Sequence, residues 1–191
     1  MIWPLTQRHF FTCLAIAMAL AVSGCSTAPP EGLAAVKPFD VNRYLGKWYE
    51  IARLDHSFER GLTDVSATYQ LNPDGSLKVI NRGFNTKKDE WKTATGHALF
   101  TGDANQGSLK VSFFGPFYGG YHVLVLDQSS YEWALVAGPD RDYLWILART
   151  KTLGPNTKEA LVSAAKGMGF PTDKLIWVEH TKTDNLDGMK W

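Results

Sequence analysis

Cysteine is scarce in this chain: 191 residues contain two, Cys13 and Cys25. Cys13 falls inside an apolar N-terminal run, so one cysteine remains for the rest of the protein. That excludes a disulfide framework and a cysteine-built zinc site, and leaves the fold to stand on core packing. Long hydrophobic runs are also missing. Phe10 to Val22 spans 13 residues, against the ~20 needed to cross a bilayer as a helix. Excess charge of one sign is absent too, with a formal net charge of +1. Setting Arg8 aside with the N-terminal run brings basic and acidic residues into balance, which argues against a nucleic-acid partner or a polybasic grip on membranes. Signatures of catalysis are lacking. No G-x-S-x-G elbow, Walker loop or G-x-G-x-x-G occurs, and His56, His97, His122 and His180 have no metal-ligand spacing. Asp55-His56-Ser57 holds the residue types of a triad, but sequence neighbours rarely face one another productively. The glycine-rich stretch Gly115 to Gly120 lacks a phosphate-cradle lysine and reads as a hairpin or bend. The chain therefore reads as a non-enzyme with no cofactor and no metal.

What is present begins with the N-terminal run. Positive charge at its start, an apolar stretch and small residues Ser23 and Gly24 give a secretory signal over residues 1–24. Val22-Ser23-Gly24-Cys25 resembles the lipobox of bacterial lipoproteins. That resemblance implies cleavage before Cys25 and acylation of it, with buried CH₂ groups contributing ~0.8 kcal/mol each to anchoring. Ser26, where aspartate favours inner-membrane retention, implies the outer membrane, with the protein facing the periplasm. Residues 25–37, with Pro29-Pro30 and Gly32, read as a tether that extends to about 40 Å at ~3.3 Å per residue.

Beyond Gly46 the chain alternates in twos. Val65, Ala67, Tyr69 and Leu71 share one face, and the rhythm recurs at Leu77/Val79, Leu109/Val111/Phe113 and Tyr121/Val123/Val125. Tyr131/Trp133/Leu135 and Tyr143/Trp145/Leu147 continue it. This is the half-buried strand signal. Turn chemistry separates the runs at Asn72-Pro73-Asp74-Gly75, Gly102 to Asn105, Gln128 to Ser130 and Gly138-Pro139-Asp140. With Trp48 to Asp55 and Trp91 to Thr101, the pattern predicts eight strands before residue 150 in an antiparallel meander, best closed to remove its edges. One helix follows at about 156–168. Asn156 and Glu159 are placed as a capping box, and Leu161, Ala164, Ala165 and Met168 form its apolar stripe against the barrel's outside. Leu175 to Val178 reads as a short ninth strand, and residues 179–191 as a tail.

Leu45-Gly46-Lys47-Trp48-Tyr49-Glu50-Ile51-Ala52-Arg53 is similar to the first signature of the lipocalins. Leu126-Asp127-Gln128-Ser129-Ser130-Tyr131 and Leu144 to Arg149 resemble the second and third. Three signatures in order on alternating strands are a specific match, and Phe114 to Tyr121 with Gly138 to Tyr143 narrow it to bacterial lipocalins related to apolipoprotein D. The resemblance covers roughly residues 39–178. It implies an all-β fold: an eight-stranded antiparallel up-and-down barrel, residues 38–178, with one C-terminal α-helix outside. It also implies structural roles for Gly46, Trp48, Asp127 and Arg149, with Arg149 across Trp48 at the blind end.

An eight-stranded barrel either fills with side chains or holds one small ligand. The inward candidates are aromatic: Tyr69, Phe113, Tyr121, Trp133 and Trp145. The resemblance implies a cavity rather than a solid core, and a fatty acid or lysophospholipid as the partner. A dozen buried CH₂ groups supply about 10 kcal/mol gross, of which ordering and association take back much. Arg82, His97 and His122 are the strand residues available for a head group. The competing readings are a lipid-handling enzyme and a structural envelope lipoprotein with a filled barrel. A homodimer is compatible with the resemblance.

Overall fold

Alternating apolar and polar residues make one face of each strand a core face, and the computed structural model, which describes residues 26–184, folds them accordingly. Eight strands follow in chain order: β1 Gly46–Arg53, β2 Leu62–Leu71, β3 Leu77–Asn85, β4 Glu90–Phe100, β5 Ser108–Phe114, β6 Phe117–Leu126, β7 Trp133–Ala137 and β8 Leu144–Ala148. Each pairs antiparallel with the next, and β1 pairs with both β2 and β8, which closes the sheet. Closure leaves no long edge open to other chains. A ninth strand, β9 (Ile176–Trp177), adds to the second half of β1 through Ala52 and Arg53.

The predicted turns are in place. Asn72 to Ser76 closes on itself through Gly75 N–H to the Asn72 carbonyl, and Asp74 accepts from the Ser76 backbone. Gly75 adopts φ +83° there, which favours glycine over any residue with a Cβ. The glycine-rich stretch forms the tight β5–β6 hairpin.

Two apolar clusters divide the molecule. The inner one, inside the barrel, includes Trp48, Tyr69, Val79, Leu109, Val123, Val136 and Leu147. The outer one joins Ile51, Ala52, Leu135, Ile146 and Ala148 to Leu161 and Ala165 of the helix α2 (Pro155–Gly167) and to Phe170. β7 and β8 are thus apolar on both faces, because α2 covers their outside. A four-residue helix, α1 (Val41–Tyr44), precedes β1.

Two expectations are corrected. The helix has no capping box: Pro155, which has no N–H to satisfy, occupies its first turn after Gly154, and Asn156 lies inside. The stretch after Cys25 is not a free spacer. Its Val36 N–H bonds the Val123 carbonyl, Gly107 N–H bonds the Val36 carbonyl, and Gly120 N–H bonds the Ser26 carbonyl. Pro30 and Ala35 are buried, so the apolar residues of this segment are spent on the barrel wall. The stretch read as a tail packs on the barrel as far as it is described. Asp64 accepts from the Lys182 N–H, and Asp184 pairs with Arg82 at 2.6 Å.

Candidate ligand-binding cavity

One end of the barrel is sealed by the side chains that carry the first and third signatures. The Arg149 guanidinium carbon lies 3.9 Å from the centroid of the Trp48 ring. Its three nitrogens donate to carbonyls of three separate segments: Arg43 at 2.7 Å, Lys47 at 2.9 Å and Tyr131 at 3.2 Å. Trp48 itself is fully buried and donates its indole N–H to the Tyr44 carbonyl at 2.8 Å. Gly46 enters β1 at φ +91°, and a Cβ there would sit 3.5 Å from an Arg149 nitrogen. Asp127 organises the β6–β7 turn by accepting from the Ser129 hydroxyl and the Glu132 N–H. The Ser129 hydroxyl bond holds its carboxyl below the usual range.

Above this seal the interior opens into a cavity of about 590 Å³, within the size range of small-molecule sites. Its wall includes Tyr69, Val79, Val111, Phe113, Tyr121, Trp145 and Leu147. Four of the five inward candidates, Tyr69, Phe113, Tyr121 and Trp145, therefore meet in one space. Phe113 reaches its place across β4 because residue 96 is glycine; a Cβ there would come within 2.8 Å of the ring. The Tyr121 hydroxyl lies 2.7 Å from that of Tyr44 and 2.8 Å from that of Tyr69. Burial pushes all three phenols well above their ordinary pKa. They stay neutral and satisfy one another at the cavity floor.

Trp133 does not join them. Its side chain packs in the outer cluster with Leu135, on the opposite face of β7 from Ala134 and Val136. We expect Trp133→Ala to destabilise the protein by about 2 kcal/mol through lost packing while leaving the affinity for a fluorescent fatty acid unchanged. Weakened probe binding with unaltered stability would contradict this placement.

None of the three head-group candidates lines the cavity. Arg82 pairs with Asp184 and lies over Trp91, and His97 meets the Tyr118 hydroxyl on an exposed strand. His122 is fully buried beside Ser108, on the wall covered by the segment after Cys25. Asp55, His56 and Ser57 do not assemble as a triad. Asp55 is held by Arg60, while His56 stacks against Tyr143 and Phe58.

A charged cluster inside the barrel escaped the sequence pattern. Glu50 and Arg53 are buried and bonded at 2.7 Å. Arg53 also donates to the Glu59 and Leu62 carbonyls, and the Trp145 indole donates to the Glu59 carboxylate at 3.0 Å. A strict alternation puts Glu50 and Arg53 on opposite faces of β1. A bulge between Glu50 and Ala52 turns both inward. Burial raises the pKa of both carboxyls, most strongly for Glu50, where neighbouring Glu59 adds to it and Arg53 opposes it. Polar groups near the mouth are Glu59, Asn81, Asp140 and Tyr143; among the described residues no lysine or arginine lines the wall. No cluster of metal-ligating side chains occurs among the described residues, and Cys25 lies outside them.

A closed eight-stranded barrel with this seal and this hollow has its counterpart among known proteins. The model of the lipocalin-like domain family matches residues 39–180. The chain is a lipocalin. The protein named outer membrane lipoprotein Blc from Citrobacter freundii is 54% identical over 166 residues, covering 86% of this lipocalin and 93% of the relative. Apolipoprotein D of Rattus norvegicus is 35% identical over 127 residues, 62% of this chain and 65% of that one. In fold, the lipocalin resembles insecticyanin of the tobacco hornworm Manduca sexta. The TM-score is 0.65 at 24% identity, over 81% of this chain and 89% of the other.

Proposed function

We propose that this lipocalin is an outer-membrane lipoprotein, acylated at Cys25, that binds the hydrocarbon tail of a fatty acid or lysophospholipid inside its barrel. The observation that carries the reading is the apolar interior space of about 590 Å³, walled by Val79, Val111, Phe113, Trp145 and Leu147. Burying a tail there requires no particular polar partner, since each CH₂ contributes about 0.8 kcal/mol by leaving water. The distribution of charge sets the tail's direction. Among the described residues no cation lines the wall, and the Tyr44–Tyr121–Tyr69 hydroxyls already satisfy one another, so the tail goes in first and the polar head stays at the mouth. The name shared with the Citrobacter freundii relative supports the membrane location. Binding rather than catalysis is supported by membership of the lipocalin-like domain family.

Titration with lysophospholipid should quench Trp145 saturably at one lipid per chain. Val111→Trp, which projects an indole into the cavity, should weaken that binding at least tenfold while preserving cooperative unfolding. Non-saturable quenching, or equal affinity in the variant, would refute the interior site. Native mass spectrometry of the protein drawn from its own membrane should show an acylated Cys25 together with a retained single-chain lipid.

A further inference from the structure

The strand directions place the loops at residues 54–61, 86–89, 115–116 and 138–143 at the open end of the barrel, away from the Trp48 seal. Among the described residues, the three large apolar side chains most exposed to water are Phe114 at 82%, Phe117 at 69% and Phe58 at 62%. All three sit on this rim. Phe114 and Phe117 face each other as the last pair of the β5–β6 hairpin, and Phe58 stands on the β1–β2 loop. Phe58 and the Gly119-Gly120 stretch line the same cavity mouth, so the aromatic side chains flank the mouth from two sides. Side chains this exposed add little to the barrel's own packing, Phe58 keeping one face on His56, and apolar side chains gathered on one face mark an interaction surface.

The path of the chain says which surface. Ser26, the first described residue, is held by the Gly120 N–H at 3.2 Å and itself lines the cavity mouth. The described chain therefore starts against β6, beside the rim that carries Phe114 and Phe117, and not at the end of a free spacer. Rim charges are of both signs, with Lys87 and Lys88 beside Asp89 and Glu90, and Asp140 and Asp142 beside Arg141. Such a face suits insertion of aromatic side chains into the interfacial region of a bilayer, with no demand for an anionic partner.

We propose that the open rim is a bilayer-docking face. Phe58, Phe114 and Phe117 insert at the lipid interface, and the cavity mouth opens directly onto the membrane. A single-chain lipid then passes between bilayer and barrel without crossing water. The proposal rests on the membrane location proposed above, and the geometry of the rim adds the orientation.

The test uses the protein acylated at Cys25, purified from its membrane and reconstituted in phosphatidylethanolamine/phosphatidylglycerol vesicles. A nitroxide is placed at Gly115→Cys on the rim or, as control, at Ser129→Cys on the sealed end. The rim label should become accessible to oxygen and shielded from a water-soluble nickel reagent, while the control stays in water. Replacing the three phenylalanines by serine should return the rim label to water and slow lysophospholipid transfer to vesicles at least tenfold, with the protein still sedimenting. A rim label in water on sedimenting wild-type protein would overturn the docking and leave the anchor standing. Failure to sediment, with no acyl mass on Cys25, would overturn both. A rim label shielded from both reagents without vesicles, in a dimeric protein, would assign the face to a second copy and overturn the docking as well.

Discussion

Replacement of Arg149 by methionine should cost about 3–5 kcal/mol of stability. The guanidinium donates to three carbonyls, those of Arg43, Lys47 and Tyr131, and covers the ring of Trp48. Hydrogen bonds to a charged donor contribute ~1.5–3 kcal/mol each, and the cation–π contact ~0.5–2 kcal/mol. The sum is not additive, since methionine still fills part of the space and water reaches the more exposed carbonyls. Arg149→Lys keeps the charge but not the planar fork that spans three segments, so it should recover less than half of the loss. Urea unfolding followed by tryptophan fluorescence measures both variants. The cavity lies away from this seal, so lipid affinity should change less than threefold in protein that remains folded. A stability loss under 1 kcal/mol for the methionine variant would mean that Trp48 and α1 close the barrel without help.

Replacement of Arg53 by methionine should be as damaging, with a dependence on pH that the Arg149 variant lacks. Arg53 is the buried partner of Glu50 and bonds the backbone that carries Glu59. Removing one member of a buried pair typically costs ~3–5 kcal/mol, because the remaining charge is stranded. Already in the native protein, burial raises both carboxyls above their unfolded pKa. The folded state thus holds more protons than the unfolded one, and the stability linked to them is fully present below the unfolded carboxylate range, at about pH 4.5 and lower. It is lost as pH rises through the folded values. Without Arg53 those values rise further, so the loss should be small near pH 4.5 and grow steadily towards pH 8. Combining Arg53→Met with Glu50→Gln should restore most of the loss at pH 8. A penalty that is equal at both pH values would show that Arg53 acts through its backbone hydrogen bonds and not through the two acids.

The two arginines sit at opposite functional levels of one barrel. Arg149 fastens the closed end, where three chain segments converge and no ligand is expected. Arg53 lies behind the cavity lining of the open half, bonded to the Glu59 carbonyl, while Glu59 and Trp145 themselves meet the cavity. A barrel sealed at one end and hollow at the other can be entered from one direction only.

The chain by itself determined the strand count, the antiparallel order and the outer position of α2, because period-two and period-3.6 patterns are local signals written wherever one face meets water. Resemblance supplied the pairing of Trp48 with Arg149, which no periodicity contains. Tertiary structure alone decided which face points inward where both are apolar. Trp133-Ala134-Leu135-Val136-Ala137 carries no polar residue to mark its outside, and only the packing of α2 against Leu135 turns Trp133 away from the cavity. Bulges decided the rest: the one after Glu50 brings Arg53 inside, and the one between Val123 and Val125 sends Val125 out. A strand keeps its register by pairing with distant residues, so a one-residue slip that flips every side chain beyond it has no signature in the strand's own letters.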